Sequence, residues 1–150
     1  MELSSFLFPV SDEHKTAEKA RNFLKNDLES LLRLANKDAN FLRSPSIDGM
    51  PRSTSGKNSN ENQVIEYVSG NTTRRALAVL NDVNKALSLC RHTHQVILYD
   101  RYVAGYPDKQ VSQKLQYGRT RYHELKIAAL NEFAERLKVQ SCGIDLIVLK

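Results

Sequence analysis

Cysteine is scarce: the chain has only Cys90 and Cys142, and they form no CxxC pair. That argues against a structural disulfide and against a cysteine-rich zinc module, so two ordinary thiols in a reducing cytosol are expected. No apolar run reaches 18 residues, so no membrane-spanning helix and no membrane contact are expected. The opening MELSSFLFPVSDEHK has a short apolar patch but no basic leader, full hydrophobic region or small-residue cleavage site, so it does not read as a signal peptide. A cytoplasmic location is expected. There is no P-loop, GxSxG, HExxH or glycine-rich nucleotide turn. The carboxylates fall mostly on exposed helix faces beside Lys or Arg. No catalytic residue, cofactor or metal is therefore expected, and the protein does not read as an enzyme.

A length of 150 residues accommodates one domain with a core, or two small units and a linker. Apolar residues make up 41%, within the globular range. The net charge is +5, and its surplus is concentrated late: residues 91–150 hold ten Lys/Arg against six Asp/Glu. A local cationic excess of this kind attracts polyanions, although a solvated surface would look similar.

Periodicity organises the chain into helices. Over Asp12–Ala35, the residues Ala17, Ala20, Leu24, Leu28, Leu31 and Ala35 recur at three- and four-residue spacing, widened by Phe23 and Leu32. Ser11 reads as the N-cap, with Asp12 and Glu13 complementing the helix dipole. The run SPSIDGMPRSTSGKNSNEN (44–62) breaks the pattern with prolines, glycines and serines and reads as an irregular loop or linker. Such a loop is long for a compact domain, which makes the N-terminal segment (1–43) a separable unit. Arg52 and Lys57 within the loop suit either a flexible basic contact or plain solvation.

A helical domain is expected over 63–138. Val64, Ile65 and Val68 open it, and Gly70-Asn71 read as an interruption. The main stripe is Ala76, Leu80, Val83, Leu87 and Cys90, with Leu77, Val79 and Ala86 beside it. A further helix buries Val96, Ile97, Tyr99, Tyr102 and Val103 and stops at Gly105, with Pro107 just beyond. His92 and His94, near Cys90, invite a metal reading. Alternate helical positions set the rings about 200° apart, however, and no further ligand follows at zinc spacing. A backbone-phosphate contact suits them better. The tail 139–150 is β-branched and leucine-rich at Ile144 and Leu146–Leu149 and reads as a short strand, paired with the same strand of another subunit, or as a packed extended arm.

The stretch PDKQVSQKLQYGRTRYHELK (107–126) carries the functional signal. Asp108–Leu115 makes two helical turns with Val111 and Leu115 facing one way, and the small Ser112 permits close crossing. Tyr117 is expected to plug the corner. After Gly118 the chain restarts with Tyr122, Leu125, Ala129, Leu130 and Phe133 on its inner face. This is a helix-turn-helix pattern spanning 108–133 in an all-α fold. A short first helix and a tight turn hold the second helix out, so that its N-terminal half can enter a major groove.

The pattern resembles region 4 of bacterial sigma factors in Arg101-Tyr102, Val111-Ser112, Leu115, Gln116-Tyr117-Gly118, Tyr122 and Ala129-Leu130. It departs from that pattern at Gln116, where a turn glycine is usual, and at Gly118, where a capping serine is usual. A wider resemblance is to the ArpU family of phage late transcriptional regulators. It is carried by Leu7-Phe8-Pro9 with Asp12, Lys15 and Thr16, by the Ser-Pro…Asp-Gly-Met-Pro-Arg block, by Tyr117-Gly118-Arg119, and by Tyr122, Lys126, Ala129-Leu130 and Phe133-Ala134. The resemblance implies activation of phage or prophage late genes (packaging, structure or lysis) in the cytoplasm of a bacterial host.

On this reading Arg119, Thr120, His123 and Glu124 are the base-edge candidates, and Arg121, Lys126, Lys109 and Lys114 the phosphate candidates. The partners are double-stranded promoter or operator DNA and host RNA polymerase, with the protein a homodimer or higher oligomer. Glu124 weakens attraction to phosphates, so it should accept from a cytosine N4 or reject wrong bases. Two alternatives stand beside this reading: a small-terminase-like packaging protein, and a helical protein-interaction module that never reads DNA.

Overall fold

The computed structural model describes residues 10–42 and 58–150, with side chains described over 10–42 and 71–150. The Leu7-Phe8-Pro9 segment and residues 44–57 of the expected loop, with Arg52 and Lys57, lie outside the described residues. The chain is mostly helical, and no sheet forms among the described residues.

Helix α1 (Glu13–Asn22) passes through a π-helical turn (Phe23–Asp27) into α2 (Leu28–Leu34). Asp12, not Ser11, is the N-cap: its carboxylate accepts from the Lys15 amide at 3.1 Å. Ser11 is drawn instead into a bridge with the C-terminal tail. The π-turn inserts a residue into the helical repeat, and both Phe23 and Leu24 thereby face inward. Asn36, at φ 58°, ends this run in the left-handed region, and a 3-10 turn (Ala39–Phe41) follows.

Helix α3 (Asn58–Leu89) runs through Gly70-Asn71 without a break, and it begins inside the stretch whose composition reads as loop. Helix α4 (His92–Leu98) continues as a π-turn (Tyr99–Val103) and stops at Gly105, whose φ of 84° suits glycine. Helices α5 (Asp108–Leu115) and α6 (Arg119–Lys138) complete the order.

One apolar core joins α1–α2, α3 and α6. It gathers Ala20, Leu24 and Leu28 with Leu80, Val83 and Ala86, and with Leu130, Phe133 and Leu137. The Phe23 and Phe133 rings lie 6.2 Å apart in a tilted pair. The apolar stripe of α1 finds its cover on α6, not within its own segment.

The tail likewise differs from a sheet strand. It forms a single antiparallel bridge, Ser11 to Leu149. The Asp12 amide donates to the Val148 carbonyl at 2.7 Å, and the Lys150 amide to the Val10 carbonyl at 3.1 Å. The Thr16 hydroxyl is buried and accepts from the Val148 amide at 2.9 Å. A serine-and-carboxylate clasp ties the tail's base to α3, with the Cys142 amide donating to Asp82 Oδ2 at 2.7 Å. Backbone polar groups entering a half-buried surface need partners, and these supply them without a second strand.

Candidate nucleic-acid interface

Helices α5 and α6 meet at a three-residue turn, Gln116–Gly118. Gln116 is left-handed, at φ 63°. The Tyr117 amide donates to the Ser112 carbonyl at 3.0 Å and the Gln116 amide to the Gln113 carbonyl at 3.1 Å, closing α5 in a Schellman-type end. Gly118 is extended and starts α6 without a side-chain cap. Tyr117 is 38% exposed and does not plug the corner. A smaller apolar cluster does so: Ile97 from α4, Val111 from α5 and Tyr122 from α6 are buried together, with Leu115 and Leu125 at its margin.

A carboxylate supports this small cluster. Asp108, at the start of α5, accepts from Tyr122 Oη at 2.8 Å and Arg101 Nε at 3.0 Å on one oxygen, and from Lys126 Nζ at 3.1 Å on the other. Burial pushes the Asp108 carboxyl up, but the Tyr122 and Lys126 hydrogen bonds and the charges of Lys126 and Arg101 outweigh it, holding it below the usual range. Burial, followed by the bond to Asp108, raises the Tyr122 phenol. The Arg101 guanidinium also lies over the Tyr102 ring at 5.5 Å. Tyr102 Oη is the one buried side-chain polar atom without a partner among the described residues. Burial pushes its phenol up to about 12, against the charge of Arg101. A second ion pair, Lys114 Nζ to the buried Asp100 at 2.9 Å, ties α5 to the π-turn.

The sequence candidates divide in the structure. Arg119, Thr120, Arg121, His123 and Glu124 are all exposed on the first turns of α6, and Lys109 is exposed on α5. Arg121 and Glu124 face each other at 3.4 Å, both well exposed. Lys126 departs from its expected role. Its side chain is only 12% exposed and is committed to Asp108, because it lies one turn beyond Tyr122 on the inner face. Lys114 is half committed: its ammonium holds Asp100 while its side chain stays 59% exposed.

Sequence reasoning missed Asp108. An acid at a helix start reads as a dipole complement, and nothing in spacing alone showed that three donors converge on it. The four-residue step from Tyr122 to Lys126 was the available signal.

The histidines also resolve. His94 is buried, with Nδ1 2.7 Å from Glu132 Oε1, and His92 is exposed. His94 therefore faces α6. Glu132 also accepts from the Arg91 amide at 3.1 Å and from Arg136 at 3.3 Å. Burial opposes its ionisation, but the bonds from His94 and Arg91 prevail and lower its pKa. Both cysteines are free thiols, and burial, followed by the Glu132 charge, pushes Cys90 up to about 12. No described helix is long and apolar enough to cross a membrane. Comparisons with protein-family models, with curated proteins and with solved structures each give no match.

Proposed function

We propose that this protein is a sequence-specific DNA-binding regulator that activates late genes of a phage or prophage, with α5, the Gln116–Gly118 turn and α6 acting as a sigma-region-4-like helix-turn-helix. The observation that carries the proposal is the two-faced start of α6. Tyr122 is buried in the corner while Arg119, Thr120, Arg121, His123 and Glu124 stand exposed around it. A helix held from behind by one aromatic anchor offers its outer first turns to a major groove.

Within this reading Arg119, Thr120 and His123 contact base edges, and Arg121 and Lys109 contact phosphate. Glu124 tests the base pair in its path, and Lys114 lends part of its charge. The resemblance to the ArpU family supports the late-gene assignment. RNA polymerase recruitment and a dimer on two half-sites are the expected mode of action, since one helix reads only a few base pairs.

The test is a fluorescence-anisotropy titration with promoter fragments from the protein's genomic neighbourhood and a shuffled control, at several salt concentrations. A native fragment should bind ~10³-fold or more tighter than the control near physiological salt. Equal binding that vanishes with salt would remove base readout from the proposal. A ring of many subunits in solution would point to a packaging role instead.

A further inference from the structure

We infer that Asp108 is a positioning residue for the DNA-reading helix: it fixes α6 against α5 and withholds the Lys126 charge from the phosphate backbone. This rests on the DNA-binding reading above.

The geometry leads there in two steps. The C-terminal half of α6 is anchored in the large core through Leu130, Phe133 and Leu137, whereas in its first turns Tyr122 and Leu125 pack in the small cluster with Ile97 and Val111. Few apolar contacts leave the aim of those turns weakly determined, and a carboxylate bonded from two sides supplies the constraint. Its partners come from separate elements, Arg101 from the π-turn and Tyr122 and Lys126 from α6, so one side chain on α5 ties three pieces together. Charge-assisted bonds of this kind are short and directional.

The second step concerns what the carboxylate withholds. Lys126 is one turn beyond Tyr122 with its side chain 12% exposed, on a flexible stem that can carry the ammonium to solvent once the carboxylate no longer holds it. A free ammonium there would add an attraction that every DNA sequence shares. Asp108 thus favours discrimination over total affinity.

The experiment measures native and shuffled promoter binding across salt for wild type, Asp108→Asn, Asp108→Glu and Lys126→Met, with far-UV circular dichroism as a folding control. Asp108→Asn should bind shuffled DNA at least as tightly as wild type, with a salt slope steeper by about one. Its native-to-shuffled ratio should fall about tenfold, comparable with one lost base contact. Asp108→Glu, which keeps the charge, should recover most of that ratio. Lys126→Met should leave the salt slope at its wild-type value.

The inference is overturned if Asp108→Asn keeps the wild-type ratio, or if Lys126→Met lowers the slope by about one as a true phosphate contact would. If Asp108→Asn does not fold, the Lys126→Met slope decides: unchanged supports the inference, lowered overturns it. A wild-type protein that does not discriminate sinks the DNA reading and the inference together. Discrimination by wild type alongside an unaltered Asp108→Asn ratio sinks the inference alone.

Discussion

The two ends of α6 are held by different physics. Its C-terminal half lies in a core built from three helical segments, where Phe133, Ala134 and Leu137 are fully buried. Its N-terminal half leans on a cluster of three buried side chains and on the Asp108 network. Where the apolar area is large, burial fixes the helix. Where the outer turns must stay exposed, ion pairs and hydrogen bonds take over, and these answer to pH and salt in a way the core does not.

The sharpest way to break this contrast is Phe133→Ala. It empties the shared core and should cost about 3–5 kcal/mol in a urea or guanidinium melt. Because α1 and α6 share that core, probes on the N-terminal helix and on α6 should lose structure in one transition. Two separate transitions would restore the idea of a separable N-terminal unit. At the other end, Arg119→Ala removes an exposed side chain, so the thermal midpoint should hold. If Arg119 reads a base, discrimination between native and mismatched DNA should drop by about 1–3 kcal/mol in the anisotropy assay.

The Glu132 network sharpens the comparison through pH. Its folded-state pKa is lowered, so its contribution to stability is present above the unfolded value near 4.5 and is lost as pH falls through the folded value. Thermal melts between neutral pH and pH 3 should therefore show stability declining below about 4.5. In Glu132→Gln that decline should be shallower, with a loss of roughly 1 kcal/mol already present at neutral pH. Asp108 adds a second loss of the same sign, starting lower, near 3.8.

The smallest effect belongs to the turn. Gln116 is left-handed at φ 63°, which costs a side-chain-bearing residue energy that glycine avoids. Gln116→Gly should stabilise by about 0.5–1 kcal/mol after the greater unfolded-state freedom of glycine is counted, seen as a raised urea midpoint at unchanged slope. A lowered midpoint would mean that the Gln116 side chain contributes to the corner.

Local pattern made much of the helical framework legible. The stripes of the N-terminal helical run, of α3 and of α6 were readable because three- and four-residue apolar spacing survives in any packing, and Leu24, Leu28, Leu80, Val83 and Phe133 are buried as that spacing requires. Gly105 was readable as a stop because its backbone conformation is a local property. The N-cap was off by one residue, because Ser11 and Asp12 offer equivalent chemistry and the tail claims Ser11. The start of α3 was missed because serines and asparagines favour loops only weakly, and a long amphipathic helix carries them along.

Among the interface candidates, the exposed set on the first turns of α6 follows from helical phase and needed no tertiary knowledge. Lys126 reads as a phosphate candidate in sequence but pairs with Asp108, because a positive charge beside an exposed helix face looks the same in sequence whether it points outward or into a carboxylate. The sequence by itself determined the helices, their inner faces and the cationic excess at the C-terminal end, since these depend on residue type and period. Tertiary structure alone decided that α1 shares a core with α6, that the tail pairs with Val10–Asp12, and that Asp108 collects Arg101, Tyr122 and Lys126. Those outcomes depend on which surfaces meet, and hydrophobic burial is non-directional: it drives the faces together without specifying which charges arrive beside one another.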